Sequence, residues 1–240
     1  MTDALPQLRE ATHALTGLQL SDAQMSAFEQ YAALLIEWNV RVNLTAIADL
    51  PGIETRHFLD SLSVLNAVRL SAGMRLIDVG TGAGFPGLPL CIAIPGLRVA
   101  LLEATGKKTQ FLSHVVQALG IPDVEVVKLR AEEAGQATAH RERYDVVVAR
   151  AVARLPALVE YLLPLAKIGG VCIAMKGDTA ATELKDAEKA LRLLGGKAGK
   201  VIKVDLPGVA EPHYLVTMEK IAPSPIGFPR KPGTPTKSPL

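Results

Sequence analysis

The chain predicts a doubly wound α/β domain, a mostly parallel seven-stranded sheet with helices on both faces, preceded by a small helical cap. Three observations carry that prediction. From Met74 onward, short β-rich runs alternate with helical ones, the pattern of βα units in a parallel sheet. The run Asp78-Val79-Gly80-Thr81-Gly82-Ala83-Gly84-Phe85-Pro86-Gly87 follows the first of these strands, where glycines let backbone N–H groups approach a bound nucleotide closely. The last two β-rich runs are separated only by Leu206-Pro207-Gly208, too short for a crossover helix, and so form an antiparallel pair at the end of the sheet.

Taken in order, the elements begin with Ser21 and Gln24, which have the spacing of a capping box. They open a helix carrying Met25, Phe28, Tyr31, Ala32, Leu35 and Trp38 on one stripe. A second helix is predicted from about Ile53 to Val68. Phe58, Leu62 and Leu65 fall on one face, and Arg56, His57, Asp60 and Ser61 largely on another, with Arg56 in reach of Asp60 four residues on. Residues 1–70 therefore read as the cap. Five parallel strands are predicted near 75–79, 98–103, 124–129, 144–149 and 171–175, and the antiparallel pair near 200–205 and 213–220. Helices follow the glycine loop and the second, fourth and fifth strands, the last stopping at Gly195-Gly196. Residues 71–222 form this domain. The remaining segment, 223–240, holds six prolines and two glycines and reads as an irregular or disordered basic tail.

At 240 residues the chain suffices for one α/β domain with a smaller appendage. A hydrophobic fraction of 49% and a mean hydropathy of +0.25 raise the question of a membrane span. The longest uncharged run, Val79 to Leu97, contains five glycines and three prolines and cannot form an uninterrupted spanning helix of about 20 residues. Charges at Arg9 and Glu10 and the absence of an apolar signal core predict a cytoplasmic protein. Cys91 and Cys172 lie among apolar neighbours and read as small buried hydrophobes, and the five histidines show no metal-ligand spacing, so no metal is expected. Residues 1–70 carry a net charge of −4 and the remainder +6, so positive charge accompanies the sheet. With no sustained heptad or exposed apolar repeat, a monomer is expected.

The glycine loop alone fits NAD as well as S-adenosylmethionine, and Glu103, 25 residues after Asp78, suits the ribose hydroxyls of either. Three features favour the second cofactor. Asp78 precedes the glycines, where a carboxylate can meet the amino-acid end of the ligand directly or through water. Arg130-Ala131-Glu132-Glu133 follows the third strand, where an acid and a backbone N–H can bracket an adenine edge. The chain also lacks room for a second substrate domain of dehydrogenase size. Together with the terminal antiparallel pair, these point to the class I methyltransferase variant of the Rossmann-like fold.

Asn39, Asn43-Leu44-Thr45, Arg56-His57-Phe58, Asp60-Ser61-Leu62, the Gly80 to Gly87 loop, Arg150-Ala151, Lys176-Gly177 and Phe228-Pro229-Arg230 together resemble the glucose-inhibited division protein B family, the ribosomal RNA small subunit methyltransferases G. The resemblance runs from about residue 20 to the C-terminus. It implies methyl transfer from S-adenosylmethionine to N7 of a guanine in 16S ribosomal RNA, presented free or in the small ribosomal subunit. It also implies roles in cofactor binding for Gly80, Phe85, Ala131, Glu132 and Arg150, which join Asp78, Gly82 and Glu103. Ala149 departs from the family, where many members have Ser.

No Asn/Asp-Pro-Pro-aromatic motif follows the fourth strand and neither cysteine sits at a predicted site edge, which argues against methylation of an exocyclic amine or of pyrimidine C5. Guanine N7 already offers a lone pair, so no catalytic base is expected. Arg150 and Lys176, at neighbouring strand ends, are expected to position RNA phosphate or the guanine edge. Arg56 and His57 in the cap and Arg230 in the tail complete the predicted RNA-facing set. Phe85 is expected to pack on cofactor or base, and Trp38 to belong to the core. The competing readings are a methyltransferase for another substrate, an NAD-dependent oxidoreductase, and an RNA-binding protein with a relict cofactor fold.

Overall fold

The computed structural model describes residues 4–240, so the first three residues of the predicted cap lie outside it. The capping box forms as expected. Ser21 N–H donates to Gln24 Oε1 at 2.8 Å and Gln24 N–H to Ser21 Oγ at 3.3 Å, opening the helix Asp22–Val42. Its buried stripe is Met25, Phe28, Tyr31, Ala32 and Leu35. An additional helix, Leu8–Thr16, precedes it. Gln7 makes no side-chain cap there; instead the Glu54 carboxylate accepts the N–H groups of Gln7 and Leu8 at 2.8 and 2.7 Å. A cap supplied by a residue so far along the chain leaves no local trace in the sequence.

The second predicted helix is present over 50–66 with mixed winding, including a π-helical stretch Ile53–Leu59 and a 3₁₀ turn Ser63–Asn66. The π winding changes the angular relation of residues four apart. Arg56 accordingly does not meet Asp60 but pairs with Glu211 at 3.0 Å, while Asp60 turns to Arg150.

Seven strands follow: β1 Arg75–Val79, β2 Arg98–Leu102, β3 Val124–Val127, β4 Tyr144–Arg150, β5 Ala166–Lys176, β6 Gly196–Val204 and β7 His213–Lys220. Their order is β3-β2-β1-β4-β5-β7-β6, with β7 antiparallel to both its neighbours. Strands alternate between two cores. Leu76, Val146, Val148 and Ile173 face the cap and the helices Gly87–Ala93 and Gly106–Leu119. Ile77, Val147, Ala149 and Cys172 face Leu155–Leu162 and the residues that follow β5. This two-residue period on a sheet covered on both faces explains the near-continuous apolar composition of the central strands. Both cysteines are buried and free, as expected for apolar fillers.

The tail departs from the expectation of an irregular or disordered segment. It packs along the outer face of the Leu155–Leu162 helix and ends in a short turn of helix, Thr234–Lys237, with Pro235 buried. Proline-rich composition excludes regular structure more readily than it excludes docking.

Candidate active site

Two cavities open over the C-terminal ends of the strands, where a doubly wound sheet gathers its ligands. The first, of about 240 Å³, lies beyond β1, β2 and β3 and is bordered by Gly80, Glu103, Ala131 and Glu132. The second, of about 330 Å³, lies beyond β4 and β5 and is bordered by Asp60, Arg150, Lys176, Glu211 and His213.

Backbone geometry builds the first cavity. Gly80 has φ of +69°, and a Cβ there would lie 2.7 Å from Val152 Cγ2. Gly84 has φ of +103°, and a Cβ would lie 2.5 Å from the Tyr31 hydroxyl. That hydroxyl donates to the Ala83 carbonyl at 2.5 Å, so the cap clamps the loop from behind. Asp78 is fully buried beneath the loop. Its Oδ2 accepts the Gly87 N–H at 2.7 Å and the Thr81 hydroxyl at 2.6 Å, whereas Oδ1 has no partner among the described residues. Burial pushes the carboxyl up to about 6, against the opposing bonds from Thr81 and Gly87. Glu103 follows β2 and accepts the N–H groups of Gly82 and Thr105 at 3.1 and 2.8 Å, which fixes its carboxylate at the cavity edge. An orphaned buried carboxylate oxygen beside a glycine-rich loop, with a second carboxylate at the next strand end, fits a ligand with a cationic amino end and a ribose.

Side chains from distant elements build the second cavity. Arg150 closes β4 and is followed by Ala151 in the left-handed region at φ +57°, an uncommon conformation for a residue with a Cβ. Its guanidinium donates to Asp60 Oδ2 at 2.9 Å and to the Arg56 carbonyl at 3.0 Å, contacts His57 Nδ1 at 3.3 Å, and lies 5.0 Å above the Phe85 ring. His57 stacks on the same ring at 4.4 Å, and its Nε2 meets Thr45 Oγ1 at 2.8 Å. Burial and the Arg150 charge lower the His57 imidazole to about 4, so it is neutral at pH 7. Asp60 Oδ1 meets His213 Nδ1 at 3.1 Å, and that bond raises the His213 pKa.

The predicted residues thus divide. Asp78, Gly80, Gly82, Glu103, Ala131 and Glu132 gather at the first cavity or beneath its loop. Asp60 and Arg150 border the second, and Arg150 bonds the Arg56 carbonyl and contacts His57 beside it. Phe85, in the glycine loop, is buried, with Tyr31 stacked on it at 5.5 Å as well as His57 and Arg150. Trp38 packs against Phe111 and His114, in keeping with a core role.

Two predicted RNA contacts are employed otherwise. Lys176 borders the second cavity, but its ammonium pairs with Glu183 at 2.7 Å and donates to the Ala153 carbonyl at 2.6 Å. Arg230 is spent on Glu160, whose side chain is wholly buried, through bonds of 2.9 and 2.6 Å. In each case the cation is paired with a nearby buried carboxylate. Sequence reasoning missed Thr45 as the His57 partner, and it missed Glu211 and His213. The latter two come from the loop before β7 and its first residue, and neither carries a motif. Among the described residues no cluster could hold a metal ion.

Comparison with known proteins bears on the family and the fold. The family model for rRNA small subunit methyltransferase G matches residues 24–208. A ribosomal RNA small subunit methyltransferase G of Chloroflexus aggregans is 48% identical over all of both chains. Its counterpart in Roseiflexus castenholzii is 51% identical, covering 93% of this chain and 95% of the relative. A SAM-dependent methyltransferase from Aquifex aeolicus shares the fold with a TM-score of 0.53 at 19% identity, covering 70% of this chain and 93% of that one. A SAM-dependent O-methyltransferase from Thermotoga maritima does so with a TM-score of 0.54 at 15% identity, covering 80% and 72%. The fold is that of the class I methyltransferases, and the chain belongs to the rRNA small subunit methyltransferase G family.

Proposed function

We propose that this protein transfers a methyl group from S-adenosylmethionine to N7 of a guanine in 16S ribosomal RNA. The observation that carries the reading is the pair of cavities on either side of the Arg150-Ala151-Val152 turn, one bordered by Gly80, Glu103 and Glu132 and the other presenting the Arg150 guanidinium held by Asp60. When bound, S-adenosylmethionine supplies an electrophilic methyl group on sulfur. Asp78 would hold the cofactor's amino-acid end, Glu103 its ribose, and the Ala131 to Glu132 segment its adenine.

On the substrate side the chain contributes position rather than proton transfer. N7 of guanine is unprotonated and needs no base, and the neutral His57, held by Thr45 and stacked on Phe85, is placed to shape the pocket. Arg150, held by Asp60, directs donor groups into the second cavity, where they recognise the guanine edge or an RNA phosphate. The remaining contributions are alignment and exclusion of water. The half-exposed Arg56, at the rim beside Glu211, is an RNA contact that exchanges one ion pair for another.

We divide the chain into a cap of residues 1–70, a methyltransferase domain of 71–222 and a tail of 223–240, acting as a monomer. Among the described residues no helix is long and apolar enough to cross a membrane. An RNA substrate of this kind places the reaction in the cytoplasm. The test is incubation with methyl-labelled S-adenosylmethionine and small ribosomal subunits lacking the modification, followed by nucleoside analysis. Label in 7-methylguanosine is the expected result; label in another nucleoside, or none despite cofactor binding, would overturn the proposal.

A further inference from the structure

We propose that the C-terminal tail, residues 227–240, is a wall of the cofactor cleft, with Gly233 and Thr236 positioning Glu132 and Tyr161 at its adenine end. The inference rests on the cofactor reading above. Gly233 and Thr236 border the same cavity as Gly80, Glu103 and Glu132, although they lie about a hundred residues or more further along the chain. The Gly233 N–H donates to Glu132 Oε1 at 2.8 Å, and Thr236 Oγ1 meets the Tyr161 hydroxyl at 2.8 Å. Glu132 is buried, and the tail bond pins one of its two carboxylate oxygens. The other is left to accept from an exocyclic amine such as that of adenine, a group that only donates there.

The wall is held in place by more than these two contacts. Arg230 forks onto the buried Glu160 carboxylate, and its backbone N–H donates to Glu160 Oε1 at 2.7 Å. Gln136, in the helix that carries Glu132, donates to the Pro229 carbonyl at 2.7 Å. Pro229 packs so closely on that helix that a Cβ on Gly135 would lie 2.5 Å from its Cγ. Arg141 donates to the carbonyls of Phe228 and Ser224 at 2.5 and 2.8 Å. Further back, the buried Lys220 ammonium donates to the Leu163 carbonyl and to Ser224 Oγ, fixing where the tail leaves β7. A segment so anchored to the helix bearing Glu132 transmits its position directly to the cleft. Of its three basic residues Arg230 is consumed by Glu160, whereas Lys231 and Lys237 are exposed.

Three proteins test the proposal: the full chain, a chain ending at the fully exposed Ile226, and the full chain with Thr236→Trp at an exposed position. Calorimetric titration with S-adenosylhomocysteine is read beside a thermal melt. The truncated chain should bind at least tenfold more weakly, with partial recovery on adding a peptide of residues 227–240. Thr236→Trp should lose at least tenfold without a change in melting. Binding within twofold of the full chain by either folded variant would overturn the proposal, including a truncated chain that loses only salt-sensitive RNA affinity. If the truncated chain does not fold, Thr236→Trp decides alone. Failure of the full chain itself to bind S-adenosylhomocysteine would overturn the cofactor reading instead.

Discussion

The glycine cleft and the Arg150 cluster lie at neighbouring strand ends of one sheet, yet they are built by different means. The loop side of the cleft is made of one strand, one loop and the next strand end, with bonds that span at most 21 residues: Asp78 bonds Thr81 and Gly87, and Glu103 bonds Gly82. The cluster is made of side chains brought together across the fold, Asp60 from the cap, Arg150 from β4 and His213 from β7. A backbone cradle tolerates changes in its surroundings. A side-chain cluster depends on each member, because removing one leaves another charge buried without its partner.

The sharpest way to break that contrast is Arg150→Ala. It should reduce methyl transfer at saturating cofactor by at least about 100-fold, equivalent to about 2.7 kcal/mol of barrier. S-adenosylhomocysteine affinity should stay within about threefold of the parent. Leaving the buried Asp60 with His213 as its one remaining side-chain partner should also lower folding stability, by up to about 3 kcal/mol, measurable by urea denaturation. Parent-like transfer by a folded Arg150→Ala would remove the residue from the site.

Glu103→Ala should act on the other region. A loss of cofactor affinity of about 30-fold is expected, as for a carboxylate accepting two hydroxyl bonds, with transfer recovered at high cofactor concentration. Calorimetry and the dependence of rate on cofactor concentration would check it.

A smaller effect concerns Asp78. Its carboxyl must be ionised to receive an ammonium group, and burial holds it near 6. Cofactor affinity should therefore fall as pH drops below about 6, by up to tenfold per unit, and Asp78→Asn should bind weakly with little pH dependence. The stability of the ligand-free protein should respond in the opposite sense. A carboxyl raised from 3.8 contributes stability at low pH that is lost as pH rises through about 6.

The smallest effect sharpens the clamp between cap and loop. Tyr31→Phe deletes a buried hydroxyl bond to Ala83 and should cost about 1 kcal/mol of stability, with a modest loss of cofactor affinity.

What could be read in the sequence follows the same division. The glycine loop, Asp78 and Glu103 lie close together along the chain, and alternation of strands and helices fixes where each strand end must be. The cluster was only half legible. Arg56, His57, Asp60 and Arg150 could be singled out, but the partners could not, since the π winding at 53–59 rotates Arg56 away from Asp60 and toward Glu211. The roles of Lys176 and Arg230 were hidden for a related reason. Glu183 and Glu160 look like ordinary helix acids in sequence, and only the packing of the following helices shows that they are buried and need a cation.

The most direct test of the two-region account is single-turnover methylation of unmodified small ribosomal subunits across a range of S-adenosylmethionine concentrations, run on Glu103→Ala and Arg150→Ala together. The account predicts that raising the cofactor concentration restores the Glu103→Ala rate close to that of the parent and leaves the Arg150→Ala rate low at every concentration. Equal recovery of both variants, or of neither, would contradict it.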